Sequence, residues 1–346
     1  MQTRIIKINP KKPEIKKIKE SVSILRKGGI VAFPTETVYG LGADGLNPNA
    51  IKKIFQAKKR PNDNPLIFHI SNKDDIKKFA KNIPPEAEKL IEKFWPGPLT
   101  LVLKKSSIIP KIATGGLNTI AIRMPSHKIA LALIKSLENP IVAPSANLFG
   151  KPSPTLAKHV LDDLNGKINA IIDGGNTRIG IESTVLDLTT NIPILLRPGK
   201  ISYSDLKKVL KKIEYHPTLL GKTTKKFKAK SPGMKYKHYS PDAKIILIEG
   251  NAHNSQKKIQ ELIKIFQSEK KRIGIINNKN VKINQYIKSK FIGSTKNRIA
   301  SNLYKTFREL DEEKVDVIIM REVDNSNLGF AIMNRLRKAA SEIITV

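Results

Sequence analysis

The feature that most constrains the fold is an alternation of short apolar runs with helical patterns, which occurs in two blocks. In the first block, runs such as GIVAFPTET and LTLVLKK alternate with stretches whose apolar residues recur at helical spacing. The alternation resumes at KIILIEG (244–250) and continues to residue 340. Interleaved strands and helices predict the α/β class. Two separate blocks predict two domains.

The blocks are separated by a lysine-rich stretch, in a chain that is too long for one typical core at 346 residues. Residues 200–237 contain twelve lysines and two acidic residues, a composition that repels itself and predicts a linker. SYSDLKKVLKKI (202–213) predicts the closing helix of the first domain, and three short apolar strands predict a small parallel sheet in the second. The predicted boundaries are 1–213 for the first domain, 214–242 for the linker and 243–346 for the second domain.

Composition excludes several classes of function. The chain has no cysteine, which excludes disulfides, thiolate catalysis and cysteine-ligated metals. Its six histidines show no HExxH spacing, so we expect no tightly bound transition metal. No apolar run reaches about eighteen residues and the N-terminus lacks the apolar segment of a secretory signal. We therefore expect a cytoplasmic protein with no membrane span.

The chain is strongly basic, with 63 Lys and Arg against 30 Asp and Glu and a formal net charge of +33. A field of this sign attracts polyanions, including nucleic acid and nucleotide phosphates. Solvated surface lysines in a lysine-rich composition explain the same number equally well. Charge alone therefore identifies no substrate.

Two segments have the chemistry to bind phosphate. KKRPNDNPL (58–66) places cations before a proline, where Arg supplies a forked contact and Lys a point charge. APSANLFGKPSPT (143–155) presents short hydroxyl and amide side chains among prolines. Taken singly, each also fits a structural role, as a basic helix end and as an Asx or Ser turn. GxxxxGK[ST] is absent, which excludes a P-loop nucleotidase.

Other polar motifs follow predicted strands or lie between the domains. FPTETVYGLG (33–42) and DGGNTRIGIESTVLD (173–187) combine glycines with hydroxyl and carboxylate side chains. In IAIRMPSH (120–127), Arg123 ends an apolar strand and needs an anionic partner, either a structural carboxylate or a ligand. SPGMKYKHYSP (231–241) is aromatic and basic between two prolines, which a simple tether does not require.

Together with FWPGPLTLVL, LLRPGKI and LGFAIMNRLRKAA, these motifs resemble, in order and wording, the long two-domain form of threonylcarbamoyl-AMP synthase. The resemblance implies a YrdC-like first domain, with a mixed twisted sheet and a basic concave cavity, and a smaller Rossmann-like parallel α/β domain. It also implies ATP-dependent synthesis of L-threonylcarbamoyl-adenylate from L-threonine and bicarbonate or CO2, with release of pyrophosphate. That product feeds threonylcarbamoyladenosine formation in tRNA.

Site residues are implied by the same resemblance, motif by motif. The family's Lys-x-Arg and Ser-x-Asn tetrad around the triphosphate, the implied catalytic set, corresponds to Lys58, Arg60, Ser145 and Asn147. Further implied ATP contacts are Asn62, Thr119, Ser153, Arg197 and Tyr236. The implied threonine site comprises Thr35, His69, Arg123 and Ser183, with Arg123 pairing the substrate carboxylate. His69 is either a general base or a hydrogen-bond partner of the threonine hydroxyl. Mg2+ is expected on the ATP phosphates.

The interdomain motif SPGMKYKHYSP resembles the family segment that folds over the mouth of the cavity and excludes water. Here Lys235 and Lys237 stand where the family commonly has Arg, and a linker packed on a domain interface is the alternative interpretation. The expected partners are ATP, L-threonine and bicarbonate; the resemblance implies a functional link to the threonylcarbamoyl transferase and leaves a direct tRNA contact open.

Two other functions remain as alternatives at this stage. One is a double-stranded RNA or tRNA-binding module, whose basic concavity would hold phosphates by shape without catalysis. The other is a carbamoyl-transfer domain, because related YrdC-like domains perform carbamoyl-adenylate chemistry in larger enzymes. The zinc and acylphosphatase modules of those enzymes have no counterpart in this sequence, which makes the second alternative weaker.

Overall fold

The chain folds into two compact units in a computed structural model that describes residues 2–221, 229–232, 238–277 and 287–346. The first unit comprises residues 1–149 and 153–235, and the second comprises residues 150–152 and 236–346. Within the described residues, no helix is both long enough and apolar enough to cross a membrane.

The first unit is built on a mixed sheet of twelve described strands. These are β1 (Arg4–Lys7), β2 (Val31–Pro34), β3 (Tyr39–Asp44), β4 (Ile67–His69), β5 (Ala80–Lys81), β6 (Leu99–Lys105), β7 (Thr119–Arg123), β8 (Ile141–Val142), β9 (Ala170–Asp173), β10 (Thr184–Asp187), β11 (Ile194–Arg197) and β12 (Glu214–Tyr215). Their order is β1-β9-β2-β3-β8-β4-β7-β6-β10-β11-β12, and β5 pairs with β6 outside this path.

Helices cover both faces of this sheet. They are α1 (Ile15–Arg26), α2 (Pro48–Lys58), α3 (Ile76–Phe79), α4 (Pro85–Phe94), α5 (Lys128–Leu137), α6 (Ala157–Leu164) and α7 (Tyr203–Lys207). Successive side chains of a strand point to opposite faces. Val31 and Phe33 of β2 accordingly pack in the cluster that contains residues of α1 and α5, whereas Ala32 packs in the cluster that contains residues of α2. A strand buried on both faces explains the unbroken apolar run at this point of the sequence.

The second unit contains a smaller sheet in which all described pairs are parallel. Its strands are β13 (Lys244–Glu249), β14 (Ile273–Asn277), β15 (Ile287–Phe291), β16 (Val317–Arg321) and β17 (Glu342–Thr345), in the order β15-β14-β16-β13-β17. Its helices are α8 (Ala252–Ser268), α9 (Lys296–Glu312) and α10 (Leu328–Ala339). The predicted α/β class is thus confirmed, with one mixed and one parallel sheet.

Two details differ from the sequence predictions. The predicted helix over 202–213 ends at Lys207 as α7, which Ser202 and Asp205 cap reciprocally. The second unit has five described strands, whereas three were expected. The two strands that were not predicted, β15 and β17, lie at the edges of the sheet, are largely exposed and carry few apolar residues. Their sequences therefore lack the apolar run that marks the three inner strands.

Candidate active site

The end of α2 brings the predicted Lys-x-Arg and Ser-x-Asn segments into contact. Lys59 adopts a left-handed backbone conformation (φ 53°) that ends the helix and turns the chain. Lys58 is 1% exposed, and its Nζ donates hydrogen bonds to the carbonyl of Ser145 at 2.6 Å and to the carbonyl of Asn147. Three members of the predicted tetrad are therefore neighbours.

Arg60, the fourth member of the tetrad, lies against its own loop. Its Nε and Nη2 donate to the carbonyl of Asn64 at 3.3 and 3.2 Å, and Nη2 also donates to the carbonyl of Pro65 at 3.1 Å. The side chain is 7% exposed. These backbone carbonyls help to fix the position of the guanidinium group.

Ser153 is fully buried and donates through Oγ to Glu182 Oε1 at 2.5 Å. Its loop is held to β3 by two backbone hydrogen bonds, from Tyr39 N to Pro154 O and from Ala146 N to Tyr39 O. Glu182 was not among the predicted site residues. Nothing in the sequence around Glu182 indicated that its carboxylate would accept a hydrogen bond from Ser153.

Arg197 at the end of β11 contacts Ser183, which precedes β10. Arg197 Nε donates to Ser183 O and Nη2 to Ser183 Oγ, each at 3.0 Å. Arg197 Nη1 also donates to Pro232 O at 3.5 Å. Ser183 Oγ lies 2.8 Å from Thr100 Oγ1 on β6. Arg197, a predicted ATP-binding residue, and Ser183, a predicted residue of the substrate-threonine site, therefore belong to one buried hydrogen-bond network.

His69 and Arg123 are register partners at the carboxyl ends of the parallel strands β4 and β7. Arg123 is 4% exposed, and its Nη1 donates to Thr37 Oγ1 at 3.0 Å. Thr37 Oγ1 lies 2.8 Å from Thr35 Oγ1 in the turn that follows β2. The structure thus brings His69, Arg123 and Thr35 to one end of the sheet.

His69 is buried and uncharged at neutral pH. Burial, with a smaller contribution from the charge of Arg123, lowers the pKa of His69 from 6.5 to about 3. Its Nδ1 lies 3.1 Å from Ile67 O, a contact that the tautomer protonated at Nδ1 would donate. A group with so low a pKa accepts a proton poorly at pH 7, which favours the hydrogen-bonding role over the general-base role.

Glu36 is a second site residue that the sequence predictions missed. Its Oε1 lies 2.7 Å from Arg123 Nη2, and both side chains are 4% exposed. The sequence indicated that Arg123 needed an anionic partner and named a structural carboxylate as one option. Nothing in the spacing of Glu36 and Arg123 identified this carboxylate, because Glu36 lies in the turn after β2 and Arg123 ends β7, far apart in the sequence.

Backbone hydrogen bonds join the two groups of predicted residues. In the loop before β10, Ile179 N donates to Glu36 O at 2.8 Å and Gly180 N donates to Thr37 O at 3.0 Å. Thr177 N, in the same loop, donates to the carbonyl of Thr155 in the segment that contains Ser153. The turn after β2, the loop before β10 and the 143–155 segment therefore form one continuous region.

Three predicted residues lie at the margin of this region or outside the described chain. Thr119 begins β7, on the same face as Arg123 but about 13 Å away along the strand. Asn62 is exposed in the loop that follows Arg60. Tyr236 belongs to the residues outside the described part of the chain.

A cavity of about 640 Å³ lies elsewhere in the first unit, and residues such as Leu46, Phe79 and Ile134 line it. Its lining contains none of the predicted ATP or threonine residues. Across the described ranges, no three His, Asp or Glu side chains are grouped so that they could hold a metal ion.

Comparison with known proteins assigns the chain to a family. A family model described as "Telomere recombination" matches residues 23–199, and one described as "Threonylcarbamoyl-AMP synthase, C-terminal domain" matches residues 201–341. The threonylcarbamoyl-AMP synthase of Pyrococcus abyssi is 52% identical over 324 residues, which cover 94% of each chain. The chain belongs to the threonylcarbamoyl-AMP synthase family.

Other members of the synthase family support the assignment. The threonylcarbamoyl-AMP synthase of Bacillus subtilis is 46% identical over 328 residues, covering 93% of this chain and 92% of the relative. The crystal structure of P. abyssi Sua5 complexed with L-threonine superposes with a TM-score of 0.95 at 51% identity, covering 99% of this chain and all of the other. The predicted family, fold and enzyme class are confirmed, whereas the individual roles of the site residues stay predictions.

Proposed function

We propose that the protein condenses L-threonine, bicarbonate or CO2, and ATP into L-threonylcarbamoyl-adenylate and pyrophosphate, with release of water when bicarbonate is used, as the first step of threonylcarbamoyladenosine modification of tRNA. The observation that carries the proposal is the contact of the Lys58 ammonium group with the Ser145 and Asn147 carbonyls. It joins three of the four residues of the predicted triphosphate-binding tetrad, and Arg60 follows Lys58 by two residues. The threonine complex of P. abyssi Sua5 supports threonine as the amino-acid substrate.

The nucleotide side of the site would hold ATP through Lys58, Arg60 and Arg197, which all donate to backbone carbonyls. Cations fixed in this way stabilise the charge that develops when the carbamate oxygen attacks the α-phosphorus and pyrophosphate leaves. Asn147 and Ser153 would add neutral hydrogen bonds, with Asn62 and Thr119 at the margin. The protein contributes position and charge to this step.

The amino-acid side would bind threonine at the carboxyl ends of β4 and β7. Arg123 supplies the cation for the substrate carboxylate, and Thr35 and Ser183 supply hydroxyl groups nearby. His69, neutral at pH 7, would form a hydrogen bond with the threonine hydroxyl. Oriented binding of threonine next to ATP lowers the entropic cost of bringing the reactants together.

Mg2+ would accompany ATP, because it prefers oxygen ligands and keeps several of its waters when it binds phosphates. On the protein, the Ser153 hydroxyl and the Glu182 carboxylate, which are hydrogen-bonded to each other, would supply oxygen ligands for it. Bound in this way, Mg2+ would offset phosphate charge during pyrophosphate release.

The SPGMKYKHYSP segment would close the site and exclude water from the adenylate. Its first residues lie in the first unit, where Ser231 is fully buried and Pro232 O accepts a hydrogen bond from Arg197. Tyr236 would follow as a contact to ATP. The proposal also includes a functional link to the threonylcarbamoyl transferase and leaves a direct tRNA contact as a separate question.

The test is pyrophosphate release from ATP without RNA, measured with both L-threonine and bicarbonate, with each alone and with neither. We expect release that requires both, and a product with the mass of threonylcarbamoyl-adenylate. Absence of release from folded protein in the complete mixture would overturn the proposal. If that protein bound double-stranded RNA tightly, the RNA-binding alternative would replace it.

A further inference from the structure

The buried ion pair between Arg123 and Glu36 has hydrogen-bonding capacity that the described residues do not use. Arg123 Nη2 and Glu36 Oε1 are 2.7 Å apart, yet their orientation does not make a hydrogen bond. Glu36 Oε2 is also buried without a hydrogen-bond partner among the described residues. A donor group and an acceptor group thus lie side by side, each incompletely satisfied.

Buried polar atoms without partners are costly, and their presence in a native site calls for a ligand or another explanation. Here the complementary ligand must offer an acceptor to Arg123 Nη2 and a donor to the Glu36 carboxylate, at adjacent positions. The carboxylate and ammonium groups of an α-amino acid are attached to the same carbon and meet both requirements.

We propose that Glu36 binds the ammonium group of the substrate amino acid while Arg123 binds its carboxylate. This inference rests on the proposed function, which supplies threonine as the substrate. It adds a specificity residue to the site, because Glu36 would distinguish an amino acid from a hydroxy acid of the same shape.

Charge balance supports this arrangement. Arg123 and Glu36 cancel each other, and His69 is neutral at pH 7 because its pKa is lowered to about 3. Burial also lowers the pKa of His127, the neighbouring histidine that senses the charge of Glu36. A zwitterion adds no net charge to such a pocket. A ligand carboxylate without an ammonium group would place two carboxylates around one arginine, at a high desolvation cost.

Hydrogen bonds hold the backbone around Glu36 in place. Glu36 O accepts a hydrogen bond from Ile179 N at 2.8 Å. Thr35 Oγ1 donates to Val38 O at 2.7 Å, which closes the turn that contains Glu36. A carboxylate on a fixed turn is a preorganised receptor, which limits the entropy lost on binding.

The test compares two ligands on the full chain by calorimetry: L-threonine and (2S,3R)-2,3-dihydroxybutanoate, in which a hydroxyl replaces the ammonium group. We expect wild-type protein to prefer threonine. Glu36→Gln should weaken threonine binding about 10- to 100-fold, the worth of a hydrogen bond between charged groups, and should leave dihydroxybutanoate binding unchanged or strengthen it, because the variant removes one of the two carboxylates around Arg123. Glu138→Gln, at a side chain that is 81% exposed, is the matched control and should change neither affinity.

Each other outcome has a defined meaning. Wild-type protein that binds the two ligands within about 3-fold of each other overturns the role of Glu36, even if Glu36→Gln fails to fold. A folded Glu36→Gln variant that retains threonine affinity, or loses both ligands equally, also overturns it and leaves the proposed function intact. Wild-type protein that binds neither ligand, with or without ATP, contradicts the proposed function itself.

Discussion

The buried cations on the two sides of the site can be compared by the contacts that orient them. On the nucleotide side, Lys58, Arg60 and Arg197 donate to the backbone carbonyls of residues such as Ser145, Asn64 and Ser183. On the amino-acid side, Arg123 also donates to a carbonyl, that of Gly97, but its Nη2 lies against the carboxylate of Glu36. A carbonyl dipole orients a cation, whereas a carboxylate cancels its charge.

This difference matches the ligands that we propose for the two sides. Three buried cations suit a triphosphate, whose several negative charges need compensation. An arginine paired with a carboxylate suits a zwitterion, which carries no net charge. Substitutions on the two sides should therefore have separable effects.

The largest effect is expected from Lys58→Met, which keeps a long side chain in a buried position and removes the charge. Loss of one preorganised cation should lower kcat/KM for pyrophosphate release about 100- to 1,000-fold. Lys53→Met is the matched control, because Lys53 lies on the same helix and also donates to a carbonyl, that of Gly28. The control should keep kcat/KM within about 2-fold of wild type, because Lys53 lies outside the site. A folded Lys58→Met protein with nearly normal turnover would show that the Lys58 charge is not needed on the nucleotide side.

A smaller loss of activity is expected from Arg197→Lys, which keeps the positive charge and loses the forked contact with Ser183. We expect kcat/KM for ATP to fall about 10-fold, the effect of one lost hydrogen bond to a charged group. Steady-state kinetics at varied ATP would measure it, with the exposed Arg178→Lys as control. Unchanged kinetics would show that charge alone suffices on the nucleotide side.

His69→Asn should alter the pH dependence of stability. The folded-state pKa of His69, about 3, lies below the unfolded value of 6.5, so its neutral form stabilises the fold above pH 6.5. That stabilisation is lost as the pH falls towards 3. Between pH 7.5 and 5, wild type should lose about 2 kcal/mol more than the variant.

Urea unfolding followed by the fluorescence of Trp95 measures this difference in the first unit, because Trp95 is the only tryptophan and is buried there. Equal pH dependence in the two proteins would mean that His69 titrates normally, and the hydrogen-bonding role assigned to it would lose its basis.

The smallest effect is expected from replacing exposed lysines. Lys207, Lys208 and Lys211 are exposed near the end of the first unit, and changing all three to Gln removes three charges from the formal +33. Exposed charges are strongly screened by salt, so threonine-dependent pyrophosphate release should stay within about 2-fold of wild type. A large loss would indicate that the overall charge, rather than the buried cations, attracts ATP.

Sequence patterns predicted the inner strands of both sheets because those strands are apolar runs with clear ends. The edge strands β15 and β17 were missed, since solvent-facing residues interrupt their apolar pattern. Helix α7 was predicted too long because its lysine-rich continuation has helical spacing, although the chain leaves the helix after Lys207.

The residues of the candidate site were likewise predicted only in part from the sequence. The family resemblance identified Lys58 and Arg60, and Arg123 was also indicated by residue type, since a cation at the end of an apolar strand needs an anionic partner. The pairing of Arg123 with Glu36 and of Lys58 with the Ser145 carbonyl could not be derived, because it depends on which segments the fold places side by side. Pairing between distant segments is a tertiary property that local spacing does not encode.

The most direct test of the central claim is calorimetric binding of ATP and of L-threonine, each to Lys58→Met and to Glu36→Gln. The account predicts that Lys58→Met loses ATP affinity and keeps threonine affinity, and that Glu36→Gln does the reverse. If each folded variant lost both ligands to a similar extent, the two sides would not be separate charge-matched sites, and the account would be wrong.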